Sequence, residues 1–389
     1  MRQIKLRAVL GALVLGSWAG ANIETDLSSV LKLGPRVAGS AANESARVYF
    51  EGRFRALGYT TRREPFSYPR FDDLGSEVRL GRQVLGGQAL QGTTGGSVSA
   101  AVVLVPGVGT PEEFGRVDVK GKVAVVRRGQ LPFGQKARNA RSAGAAGLIV
   151  VNNVAGELRG GTLGERVELP VLGVTQEAGA ALRGGERVTL SVRVRAGEVR
   201  GVNVVAFKSG VTRPELLFGG HMDSVAGAPG ANDNLSGTLA VIDLARRAAN
   251  TPLAARSFFV LFDGEEDGLH GSRSFVKDNT ALVENLRAMF NFDMVGVNAD
   301  PLAVGGDDEL VALARRANAG LGSFPAGGGS DHVPFAQAGV PTLFFHRGID
   351  PNYHQPGDAV ADPALIGATV DAALKTADAA LSVAPAAVR

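Results

Sequence analysis

The chain has no cysteine among its 389 residues, which excludes disulfide bonds and thiolate metal ligands. Any metal it holds must therefore sit on histidine and carboxylate. No charge sign dominates either, since 41 Lys and Arg face 38 Asp and Glu. Only 20% of residues are charged, against 45% hydrophobic and 53 glycines, a composition of compact, loop-rich globular proteins rather than disordered or fibrous ones. The length allows one large domain with an insert, or two domains of ordinary size.

Residues 1–21 read as a secretory signal peptide. Arg2, Lys5 and Arg7 make a basic start, Ala8 to Gly16 a short apolar run, and Ala19-Gly-Ala21 a small-residue cleavage site. The apolar run is shorter than the ~20 residues a spanning helix needs, and no other stretch could span a bilayer. The expectation is a secreted or periplasmic protein with no stable membrane association after signal removal. Without Arg2, Lys5 and Arg7 the chain carries 38 basic and 38 acidic residues. The pI near 9.3 is thus partly a property of the leader, and it gives no support for a nucleic-acid partner or an anionic membrane surface.

Three textures follow one another. Residues 22–74 open helically, with Ala46, Tyr49, Phe50, Phe54 and Leu57 at helical spacing before Gly58. Residues 75–197 turn to short Val-rich strands between glycine turns, the pattern of an inserted β-rich domain. In residues 198–389 strands alternate with helices, which predicts an α/β domain with a mixed, largely parallel sheet flanked by helices. Ligands on such sheets gather at the carboxyl ends of strands.

His221, Asp233, Glu265, Glu266, Asp293 and His354 form one candidate set, in which three motifs fit that rule while Asp233 lies in a glycine-bounded loop entering a helix and His354 in the segment 352–358. His221 and Asp223 follow a strand expected to end at Gly219, Glu265-Glu266 follow one ending at Phe262, and Asp293 follows one ending at Phe292. Two metals roughly 3.5 to 4 Å apart need a bridging carboxylate, terminal His and carboxylate ligands, and a free carboxylate to deprotonate water. Five of the six would be ligands, and one of the adjacent glutamates the base.

The run from Gly121 to Gly129, Phe133-Gly-Gln-Lys136, Asn139 to Asn153 and Leu169 to Thr175 resembles the protease-associated (PA) domain. Gly220-His-Met-Asp-Ser224, Asn232-Asp-Asn-Leu-Ser-Gly237, Asp263-Gly-Glu-Glu-Asp-Gly-Leu-His-Gly-Ser272, Asn291-Phe-Asp-Met-Val-Gly296 and Tyr353-His-Gln-Pro-Gly-Asp358 resemble the M28 zinc aminopeptidases, in the subgroup that carries such an insert. That resemblance implies two zinc ions per chain. One would lie on His221, Asp233 and Asp293, the other on Asp233, Glu266 and His354, with Asp233 bridging. It also implies Glu265 as general base, Asp223 as the residue orienting His221, Tyr353 as an oxyanion donor, and a cis peptide at Asp233-Asn234.

The implied reaction removes the first residue of a peptide, carried out by a monomer. A glutamate-releasing carboxypeptidase of the same family would share the metal site, and a non-catalytic binding protein would lack some of the ligands. Outside the set, His332 is a candidate pocket residue and His270 and His346 are expected to serve structure. Asp263, Asp267, Asp307 and Asp308 read as turn or helix-start carboxylates.

Overall fold

The computed structural model describes residues 22–156, 158, 161–325 and 328–382, so the signal-peptide reading of 1–21 lies outside the described residues. The chain divides into two compact units, one formed by residues up to Tyr68 together with Val199 onward, the other by Pro69–Glu198.

The first unit is built on an eight-stranded sheet of β1 (Thr60–Asp73), β2 (Val194–Phe207), β3 (Leu216–His221), β4 (Ser257–Phe262), β5 (Ala288–Phe292), β6 (Ala303–Gly306), β7 (Gly322–Ser323) and β8 (Thr342–His346). Their order across the sheet is β1-β2-β4-β3-β5-β8-β6-β7. The four central strands β4, β3, β5 and β8 are mutually parallel, while β2 and β6 join them antiparallel. The mixed, largely parallel sheet expected from the sequence is therefore present.

These strands read as unbroken apolar runs because both faces are covered. Leu216, Phe218, Phe259, Leu261, Phe290 and Phe292 belong to one core with helices Ala41–Ala56, Gly237–Ala248 and Pro363–Ser382. Leu217, Phe258, Val260, Phe262 and Met289 alternate with them into a second core, with Phe275 and Phe335. Among the described residues no helix is long and apolar enough to cross a membrane.

Two local expectations need correction. Thr60–Asp73 is a strand rather than part of a helical opening. Pro65 and Pro69 weaken its sequence signal, but a proline is tolerated on an edge strand, and β1 is the edge. Strand β3 runs on through Gly220 to His221, so His221 is its last residue.

The second unit carries its own eight-stranded sheet, in which Gly96–Leu104, Val123–Arg127, Gly147–Val151 and Val171–Val174 are parallel neighbours. Its cores include Val126, Ala137, Leu148 and Val150 on one side and Val125, Ile149, Leu172 and Leu190 on the other. Lys136 is fully buried there and donates to the carbonyls of Val108, Arg127 and Gly129 at 2.6, 3.1 and 2.8 Å. The chain leaves the first unit within β1 and re-enters it within β2. Where these strands run side by side, a Cβ at Gly201 would come within 2.3 Å of the Phe66 ring.

Candidate metal centre

Register brings the chemical groups together. Gly219 on β3 pairs with Asn291 on β5, which sets His221 level with Asp293, and His221 itself pairs with Phe262 at the end of β4. The loop after β8 supplies Tyr353 and His354, and the turn before helix Gly237–Ala248 supplies Asp233. All six residues named from the sequence meet at one edge of the sheet.

Asp233 is the centre of the arrangement. Its Oδ1 lies 3.3 Å from His221 Nε2 and its Oδ2 3.2 Å from His354 Nε2. Around His221 Nε2 stand Asp293 Oδ2 at 3.6 Å and Glu265 Oε2 at 3.8 Å, and Glu266 Oε2 is 2.9 Å from His354 Nε2. Among the described residues, His221, Asp233 and Glu266 form one group that could hold a cation, and His221, Glu265 and Asp293 another.

The donor set fits a divalent cation. Ligands 2.0 to 2.2 Å from a tetrahedral zinc stand about 3.4 Å from each other, close to most of these separations. Both His221 ring nitrogens, Glu266 Oε1 and Asp293 Oδ1 are buried without a hydrogen-bond partner among the described residues. Buried polar atoms are rarely left so.

The protonation states reflect the same crowding. Burial opposes charge on His221, but Glu265 and Asp293 outweigh it and raise the imidazole well above its ordinary pKa. Hydrogen bonds donated to Asp233 and Glu266 bring His354 up to about 10. Burial lifts the Glu266 carboxyl to about 7, and it lifts Glu265 well above the usual range with help from Asp331 and Asp293. Asp233 goes the other way, since the two imidazoles outweigh its burial. Metal ligands must be deprotonated, so cation binding at this cluster is coupled to proton release.

The surrounding contacts fix these positions. The Asp233-Asn234 peptide is cis, as the family resemblance implied. Asn234 Nδ2 donates to Phe292 O at 2.9 Å and Asn234 Oδ1 accepts from Gly237 N at 2.9 Å, tying the turn to the end of β5. A Cβ at Gly237 would approach Phe292 O to 2.1 Å, so only glycine allows that closeness.

Asp223 Oδ1 stands 3.6 Å from His221 Nδ1, while its two oxygens accept from the N–H groups of Glu265 and Glu266 at 3.3 Å each. Its firmer contacts are thus with the glutamate loop. Tyr353 stacks on His354 with ring centroids 3.8 Å apart.

Several neighbours gave no local sequence signal. Asp358 accepts from the N–H groups of Asn232 and Asp233 at 2.7 and 3.1 Å, although it lies within a quoted motif. Ser330 Oγ donates to Asp293 Oδ2 at 2.7 Å. Asp263, expected as a turn carboxylate, is fully buried and accepts from Arg47, Asn43 and Val202. Asp307 does cap a helix, accepting from Glu309 N and Leu310 N. His332 is buried and stacks on Phe344, His270 stacks on Tyr68, and His346 Nδ1 lies 2.8 Å from Asp293 O.

A mixed, largely parallel α/β sheet with histidines and carboxylates converging at the carboxyl ends of its strands makes a candidate divalent-metal site, and comparison with known proteins gives its class as a metallopeptidase. Residues 203–377 match the model of peptidase family M28, and residues 91–182 match that of the PA domain. Aminopeptidase YwaD of Bacillus subtilis is 32% identical over 358 residues, covering 84% of this chain and 77% of that protein. The aminopeptidase from Aneurinibacillus sp. strain AM-1 superposes with a TM-score of 0.71 at 29% identity, covering 92% of this chain and 93% of that one. A structure described as BSAP, a zinc aminopeptidase from Bacillus subtilis, gives 0.67 at 27% identity over 92% and 94% of the two chains. The chain belongs to peptidase family M28, with a PA domain ahead of the family's matched segment.

Proposed function

We propose that the protein is a secreted di-zinc aminopeptidase. His221, Asp233 and Asp293 would hold one zinc, and Asp233, Glu266 and His354 the other. The observation that carries this is the division of the Asp233 carboxylate, one oxygen toward His221 and the other toward His354, at 3.3 and 3.2 Å. That is the arrangement a carboxylate needs to bridge two cations. When bound, zinc supplies Lewis acidity that polarises the scissile carbonyl and acidifies water.

Glu265 is the proton carrier. Its backbone N–H is held by Asp223 at 3.3 Å, and its raised proton affinity suits a group that must both take and return a proton. It accepts a proton from the attacking water and delivers it to the amine nitrogen as the C–N bond breaks. Tyr353 remains protonated, because burial and the nearby carboxylates raise its phenol above the usual range. Its hydroxyl donates to the carbonyl oxygen as that atom gains negative charge.

The relatives named above are aminopeptidases, which favours a free amino terminus over a carboxylate at the specificity end. The buried cations Arg36 and Arg47 are already engaged by backbone carbonyls and by Asp263. Release of nitroaniline from aminoacyl-nitroanilides, set beside release of glutamate from acyl-glutamate peptides, tests this. Zinc analysis should give two ions per chain. Exclusive cleavage of acyl-glutamate, or no zinc after reconstitution, would overturn the reading.

A further inference from the structure

The segment Gly34-Pro-Arg-Val-Ala-Gly-Ser40, between helices Ile23–Leu31 and Ala41–Ala56, takes no part in the reaction above. Arginine is almost never fully buried unless paired, yet Arg36 is 0% exposed. Its fork spans two stretches of chain. Nε donates to Met222 O at 2.9 Å, Nη1 to Pro229 O at 2.6 Å and Nη2 to Gly230 O at 2.8 Å. Its backbone N–H donates to Ser224 Oγ at 2.9 Å, and its carbonyl accepts from Asn43 Nδ2 at 3.1 Å.

Met222 sits between His221 and Asp223, and Gly230 stands three residues before Asp233. The guanidinium therefore joins the strand end that carries one histidine to the loop that carries the central carboxylate. Gly230 is left-handed with φ 67°, and a Cβ there would come within 2.6 Å of Ser224 Cβ and 3.0 Å of Arg36 Nη2. Only glycine admits this approach.

We propose that Arg36 is a positioning residue for the metal centre, setting the spacing between His221 and Asp233 before any cation arrives. The proposal rests on their assignment as ligands above. Guanidinium suits the task because its donors lie in a rigid planar fork, whereas an ammonium is a point donor. Lys136 in the other unit shows the contrast, gathering three carbonyls around one nitrogen. The three nitrogens of Arg36 serve three carbonyls separately.

Two effects of opposite sign compete at this position. Arg36 faces Asp223, Asp358, Asp233 and Glu266, so removing its charge alone would tighten divalent-cation binding. Removing the fork strips Met222 O and Pro229 O of their donors and leaves Gly230 O with only the Leu235 N–H at 3.1 Å. It also frees two ligand-bearing segments to drift, which weakens binding. The geometric effect is the larger one here, because all three bonds are short and two of the carbonyls, Met222 O and Pro229 O, have no other donor among the described residues.

Arg36→Lys and Arg36→Met in the full chain test this, with zinc affinity read by competition against a chromogenic chelator. Unfolding temperature with and without zinc, and kcat and KM at saturating zinc, complete the set. Both variants should bind zinc about 10- to 100-fold more weakly, the range seen when groups supporting metal ligands are removed. At saturating zinc kcat should fall while KM changes little. Ser224→Ala, which removes the acceptor of the Arg36 backbone N–H and a donor to Ala228 O at 3.2 Å but leaves the guanidinium fork in place, should shift affinity the same way by less.

Wild-type zinc affinity and kcat with only a lower unfolding temperature would make Arg36 merely structural and overturn the proposal. So would tighter zinc binding, which would mean that charge dominates. If Arg36→Met does not fold, Arg36→Lys and Ser224→Ala still decide. Wild-type protein that binds no zinc would instead remove the ligand assignment, and this proposal with it.

Discussion

Arg47 Nη2 donates to Asp263 Oδ2 at 2.7 Å in the protein interior, and through that bond helix Ala41–Ala56 grips the end of β4 from which Glu265 and Glu266 project. Both partners are nearly or fully buried. Breaking a buried pair by removing one member leaves an uncompensated charge. Arg47→Met should therefore destabilise by about 3 to 5 kcal/mol in urea unfolding. Adding Asp263→Asn in the same chain should recover part of the loss, since the stranded carboxylate is gone.

Glu265→Gln keeps the size of the side chain and removes its ability to take a proton. Turnover should fall by about 10²- to 10⁴-fold, the usual contribution of a general base. Zinc content measured on the same preparation should stay at the wild-type level. Substantial remaining activity would reassign the base.

Tyr353→Phe removes one hydroxyl beside His354 and leaves the ring that stacks on it. Loss of an oxyanion donor is expressed mainly in kcat, so a fall of up to about 10²-fold with KM little changed is expected. A change confined to KM would place Tyr353 in substrate binding instead.

Acid should destabilise the fold through His332. Burial lowers its pKa to about 4, only partly opposed by Asp293, while an unfolded chain titrates near 6.5. Between those values the unfolded state binds the extra proton, so stability contributed by neutral His332 is lost as pH falls from about 6.5 to about 4. The loss is at most about 3 kcal/mol. His332→Gln should show a smaller drop in melting temperature between pH 7 and pH 4.5 than the wild type. An equal drop would refute the assignment.

The central strands were legible because burial on both faces leaves an uninterrupted apolar signature, as in Phe258 to Phe262 and Ala288 to Phe292. His221, Glu265, Glu266 and Asp293 were legible because each sits at or just beyond the end of such a run, where parallel strands gather ligands. Asp233 and His354 lie in loops and were legible through their motifs. Edge strand β1 was hidden by its charges and prolines. Asp263 was misjudged because an isolated aspartate carries no sign of its burial, which depends on Arg47, 216 residues away. Asp223 offers its oxygens to two backbone N–H groups, a contact set by folding alone. Nothing near Arg36 in sequence names the three carbonyls it joins.

Exit and return of the chain at neighbouring strands, with Phe66 lying over Gly201, gives the PA-containing unit freedom in length. Its two ends are already held together by the peptidase sheet, so little closure entropy separates a long insert from a tight turn at the same place. A change of length within that unit therefore leaves the order of the strands that carry the centre unchanged.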